Sequence, residues 1–175
     1  DAKTLYESND YFNKKIISNK EIRDISARLK SLKPNLKITH ILDREFDDDE
    51  YLKTIDSSIN DFFIVRSKKT RTDDTADKNK ASTKLIDAKF EQTKIIEIQK
   101  IRFKDKVYQD VKLEISWKKH HSYNAVKISI RDRNDTEIFK NPMLLLTNKV
   151  VEIDEDAYQI YLDYLKRSRI EYVFK

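Results

Sequence analysis

Two hydrophobic periods divide the chain. From residue 18 to 34 the run SNKEIRDISARLKSLKP spaces Ile22, Ile25 and Leu29 three and four apart, which predicts a helix with those residues as its apolar stripe. Ser18 and Glu21 read as its capping box, and Pro34 closes it. LKITHILDREF follows, and Ile38, Ile41 and Leu42 predict a strand that ends in acids. DDDEYLKTIDSSI predicts a second helix, with Asp47 as cap and Leu52, Ile55 and Ile59 inward. DFFIVRS is short and almost wholly apolar, the pattern of a strand buried on both faces. Strand, helix and strand in this compass predict a βαβ unit with a parallel pair.

Residues 68–84 carry charge and no apolar period, so they read as a loop or linker. Beyond them the period becomes two. VKLEISW alternates Val111, Leu113, Ile115 and Trp117 with Lys112, Glu114 and Ser116. VKISIR repeats the pattern with Val126, Ile128 and Ile130, and KIIEIQKIRF is a rougher version. The turn-rich stretches KDK, HHSYN and RDRND connect them, predicting an antiparallel meander with one wet face. PMLLLTN reads as a buried strand. A last helix is predicted from Asp154, its cap, with Ala157, Ile160, Tyr161, Tyr164 and Leu165 as apolar positions. The expected fold class is α/β. Residues 1–67 form the first part of a core, 68–141 a basic loop and β-rich insertion, and 142–175 the strand and helix that return to the core.

Composition narrows the chemistry. The 175 residues contain no cysteine, which excludes disulfides, thiolate metal sites and a cysteine nucleophile. They contain no glycine, which excludes the Gly-rich phosphate loops and leaves tight turns to Asn and Asp. The net charge of +5 permits a nucleic-acid partner without demanding one. Basic side chains outnumber acidic ones most clearly across residues 66–106. No run of about 18 apolar residues exists, so no membrane span is expected. The chain does not open on Met and closes inside a helical period, so a piece of a longer protein is expected.

Two places could carry chemistry. Asp43 closes an apolar strand, and in open α/β sheets ligands bind at the carboxyl ends of strands. An acid there can hold a divalent cation through hard oxygen ligation. The plain alternative is a soluble strand end before a capped helix. On the last helix, Tyr164, Arg167 and Glu171 share one face by spacing. Glu171 is either an ordinary partner of Arg167 or a metal ligand beside a phosphate-gripping guanidinium.

Together the two motifs resemble the bacterial insertion-sequence transposases of the DDE type, in the group named for a Y-x2-R-x3-E-x6-K signature. The second catalytic Asp of that group stands in an Asp-Arg-Glu context, here Asp43, Arg44 and Glu45, and the signature reads Tyr164, Arg167, Glu171. The signature lysine would fall past the end of the chain. The PMLLLTN run and the intervening β-rich stretch also match, so the resemblance spans residues 36–175.

The resemblance implies a ribonuclease-H-like core and cut-and-paste DNA transposition. It implies Asp43 and Glu171 as catalytic metal ligands for Mg²⁺ or Mn²⁺. Tyr164, Arg167 and Arg44 would grip DNA, acting as a dimer on transposon ends and target in the bacterial cytoplasm, at the nucleoid. Trp117 would stack on a flipped base, against the plainer reading of a core tryptophan suggested by its alternation with Leu113 and Ile115. Lys68, Lys69 and Arg71 in the run RSKKTR would meet phosphates or simply be solvated. His120 and His121 read as a solvated turn, and His40 as structural.

One departure matters. No Asp within residues 1–42 ends an apolar strand, so the family's first Asp is expected outside this chain, which alone should be inactive or nearly so. The alternatives are another ribonuclease-H-like nuclease, or an inactive transposase-derived DNA-binding module.

Overall fold

Six strands form one mixed sheet in the computed structural model, which describes residues 11–73, 83–90, 92–103 and 106–173. For residues 11–19, 58, 92, 101–103 and 168–173 it describes the backbone alone. The predicted βαβ unit is present. Strands β1 (Thr39–Leu42) and β2 (Phe62–Arg66) pair in parallel, with Leu42 beside Val65. Between them α2 (Asp49–Lys53) runs into a π-helical turn (Thr54–Ile59). Asn60 stops it at φ 55, a left-handed conformation that Asn tolerates better than most residues.

The cap of α2 is Asp48, not Asp47. The Asp48 carboxylate accepts from the Glu50 and Tyr51 N–H groups. A 3-10 turn (Arg44–Phe46) intervenes first, and the Asp47 carboxylate is drawn instead to Ser67, Lys68 and Arg71.

After β2 a two-stranded ladder forms from β3 (Thr72–Asp73) and β4 (Thr83–Lys84), inside the stretch expected to be a structureless loop. Residues 74–82 of that stretch lie outside the described residues. The meander follows as expected: β5 (Gln92–Phe103), β6 (Lys106–His120) and β7 (Tyr123–Arg131) are consecutive and antiparallel. Strand β8 (Met143–Thr147) then pairs with both β7 and β2, giving the order β1-β2-β8-β7-β6-β5. One continuous sheet therefore carries both the parallel pair and the meander.

The period-two alternation sorts side chains onto two faces. Ile64, Val126, Ile128 and Leu145 join Val111, Leu113, Ile115 and Trp117 in one core, covered by Ala157, Ile160, Tyr161 and Tyr164 of α3 (Asp154–Val173). Phe63, Val65, Ala125, Leu144 and Leu146 face the other core, covered by Tyr51, Leu52 and Ile55. Each fully buried Leu, Ile or Phe contributes about 1.5–3 kcal/mol, so the central strands, apolar on both faces, anchor the layers.

Two further local expectations need correction. The second face of the meander is not wholly wet. Ser116 is buried and Lys127 half-buried, its ammonium 4.4 Å from the Phe90 ring centroid, because the segment after β4 lies over it. Asp154 is the first residue of α3 and not its cap. The Asp156 carboxylate reaches back to accept from the Glu152 and Ile153 N–H groups.

The first helix is the largest difference. Helix α1 spans Tyr11–Leu32, so Ser18 lies within it and not at its start. Its expected apolar stripe is largely uncovered, with Ile25 56% exposed and Leu29 39%. A polar contact seats it instead. Ser26 Oγ donates to Asp61 Oδ2 at 2.7 Å, and Lys30 Nζ stands 2.6 Å from Asp61 Oδ1. His40 Nε2 lies 2.9 Å from Asp61 Oδ2, joining β1 to the same group. Asp61 is buried, and a buried carboxylate must be paired. Burial would raise its pKa, but Lys30, His40 and Ser26 together hold it below the usual carboxylate range.

Candidate functional site

Asp43 follows the last residue of β1 in extended backbone, φ −87 and ψ 175, immediately before the 3-10 turn. The fold puts it where the parallel strands end, the position from which open α/β sheets bind ligands. Helix α3 packs on that end of the sheet through Tyr164, which belongs to the first core. One turn later the Arg167 Nη2 atom lies 3.3 Å from Asp43 Oδ2. Two of the residues singled out from sequence, 124 positions apart, are thus in contact. Both side chains remain partly open, Asp43 at 41% exposure, so the pair is not sealed from a ligand.

Tyr164 is buried beside them. Burial first, and the Asp43 charge second, push its phenol pKa up, offset in part by Arg66, Arg167 and Arg44. It is therefore a neutral hydroxyl donor at neutral pH. The same influences mark three guanidinium groups and one carboxylate around a single phenol. The Nε atoms of Arg44 and Arg66 are buried without a hydrogen-bond acceptor. Such donors are costly to leave unmade.

Arg66 enters the sequence reading only as the start of the basic run. It is the last residue of β2, at the same strand end as Asp43. That position, read from the parallel pair, was the signal that could have found it. Glu171 stands four residues after Arg167 in α3, and its side chain lies outside the described residues.

The other sequence candidates fall elsewhere. Arg71 is committed to acids: its Nε and Nη2 lie 2.9 and 2.5 Å from Asp47 Oδ1, and its Nη1 lies 2.7 Å from Asp49 Oδ1. Asp47 also accepts from the Lys68 N–H at 2.6 Å and Ser67 Oγ at 2.9 Å. Lys68 is half-buried and Lys69 exposed. Trp117 is 5% exposed within the first core, and it also lines a cleft of ≈ 430 Å³ with Lys118, Lys119 and Asn124.

His120 corrects the expectation of a solvated turn. It closes β6 at 1% exposure, and only His121 occupies the turn, at φ 53. The His120 Nδ1 atom lies 3.6 Å from Asp73 Oδ1, while Lys118 Nζ holds Asp73 Oδ2 at 2.7 Å. Burial, then the neighbouring His121 and Arg71 charges, push the His120 imidazole below its usual range. It is neutral near pH 7.

Among the described residues no group of three or more His, Asp or Glu side chains forms a ready cation site. Asp43 offers hard carboxylate oxygens suited to Mg²⁺ or Mn²⁺, with the second expected ligand, Glu171, beyond those residues. No helix among the described residues is long and apolar enough to cross a membrane. The chain matches no protein-family model, and no curated protein is significantly similar to it.

Proposed function

We propose that the chain is part of the catalytic core of a DDE-type DNA transposase, a ribonuclease-H-like domain that cuts and joins DNA strands. The observation that carries this reading is the 3.3 Å approach of Arg167 to Asp43. A coincidental pair of motifs, one at a strand end and one on a distant helix, has no reason to converge. The mixed six-stranded sheet with a parallel pair and a helix over its strand ends is compatible with such a core.

In this reading Asp43 and Glu171 hold Mg²⁺ or Mn²⁺. The bound cation supplies Lewis acidity at a phosphoryl oxygen and a nucleophile at neutral pH. The protein's own groups position the DNA. Arg167, Arg44 and Arg66 present guanidinium forks to phosphate oxygens, and Tyr164 donates its hydroxyl. Catalysis is then placement and charge neutralisation, with no covalent enzyme intermediate. The partners are transposon ends and target DNA, bound by a dimer at the bacterial nucleoid.

The test is DNA affinity with and without Mg²⁺, for the natural sequence and Asp43→Ala. A metal-dependent gain in affinity that Asp43→Ala abolishes supports the reading. Affinity indifferent to both metal and Asp43 instead identifies a DNA-binding module without the chemistry.

A further inference from the structure

A second polar concavity lies away from Asp43, on the side of the sheet covered by α2. It is a cleft of ≈ 490 Å³ between α2, residues 68–72 and the turn of residues 120–123. Its two acids are already committed. Asp47 accepts from Arg71, Ser67 and the Lys68 N–H, and Asp49 accepts from Arg71. Arg71 gives them three of its five N–H donors, so the trio is held together and is not a free ligand set.

Two other cations line the same cleft, Lys53 and Lys68, and neither ammonium makes an ion pair among the described residues. Beside them stand the Ser122 hydroxyl and the His121 ring, which reaches solvent from the turn. Tyr123 forms part of the wall and is anchored by an edge contact to Phe63, 5.1 Å between ring centroids. The residual charge of the cleft is therefore positive and surrounded by hydroxyl and imidazole donors. A tetrahedral oxyanion matches this set, with lysines acting as point charges and hydroxyls as neutral donors.

We propose that this cleft is a second phosphate site, taking a backbone phosphate of a nucleic-acid strand through Lys53, Lys68, Ser122 and His121. The choice of nucleic acid as the phosphate source rests on the function proposed above. The turn Arg44–Phe46 joins Asp43 to Asp47, so the end of β1 and the wall of this cleft are consecutive along the chain. Arg71 acts as a positioning residue, holding residues 68–72 against α2.

The test is amide chemical-shift mapping of the ¹⁵N-labelled chain with inorganic phosphate, and separately with a short single-stranded oligonucleotide. Both should shift residues 70–72 and 121–123. The double variant Lys53→Gln/Lys68→Gln should lose those shifts and lower the salt slope of oligonucleotide binding by about 2. Asp43→Asn should leave them in place, so failure of the metal chemistry and failure of this site read out separately. Shifts with phosphate alone overturn the nucleic-acid assignment. Absence of shifts in the cleft, or shifts unchanged in the double variant, overturns the site.

Discussion

Arg167 of the last helix reaches Asp43 at the end of the first strand, 3.3 Å between Nη2 and Oδ2. The pair is part-exposed on both sides, so its direct worth to stability is about 0–1 kcal/mol. Its position gives it significance. It brings the carboxylate at a strand end under a helix that also carries Tyr164, with Arg44 and Arg66 close enough to influence that phenol.

Arg167→Ala should therefore leave folding nearly unchanged and weaken DNA binding. The slope of log affinity against log salt should fall by about 1, the signature of one lost phosphate contact. Fluorescence anisotropy across a salt series measures it. An unchanged slope with lowered thermal stability would make Arg167 a structural partner of Asp43 only.

Asp61 is predicted to carry the seating of α1. The Asp61→Asn variant should lose about 3 kcal/mol, because a buried charge network with Lys30 and His40 is broken. The pH dependence has a definite sign. The native carboxyl is held below its unfolded value of about 3.9. Its contribution is present above that pH and is lost as pH falls through the lower native value. Urea midpoints measured from pH 6 downward should show the gap between natural and variant chains narrowing as the pH falls through the carboxylate range. A gap that persists in acid would contradict the network.

Arg71→Ala should cost about 3 kcal/mol by leaving the buried Asp47 carboxylate without its guanidinium. Arg71→Lys should recover only part of this, since an ammonium cannot reproduce the two-acid fork. Hydrogen exchange should speed up in residues 68–72. Normal exchange there with reduced DNA affinity would return Arg71 to the role of a direct phosphate contact.

Trp117→Ala should destabilise the chain by about 3–5 kcal/mol, because the ring fills the core between the meander and α3. Denaturant unfolding measures this. Full stability combined with weakened binding to DNA carrying an unpaired base would favour stacking over packing.

Much of the frame could be read from spacing. The parallel pair, the buried PMLLLTN strand, the meander and the inward face of α3 all follow from period and length. Part of the misreading arises because polar side chains are claimed by partners far along the chain. Asp47 answers to Arg71 and not to α2, and Ser26 and Lys30 of α1 answer to Asp61. His120 is buried against Asp73, which Lys118 of the same strand also holds, in a small ladder that no local pattern announces. In the site, Asp43, Tyr164 and Arg167 were legible as motifs. Arg66 was not, because its relevance comes from sheet topology.

The most direct test of the central claim is Mn²⁺ titration of the ¹⁵N-labelled chain, followed by paramagnetic broadening. The amide signals of Asp43 and Glu171 should broaden together at low Mn²⁺, and Asp43→Asn should abolish the effect at both. Broadening confined to other acids, or unchanged by Asp43→Asn, would contradict a metal site shared between the end of β1 and the last helix.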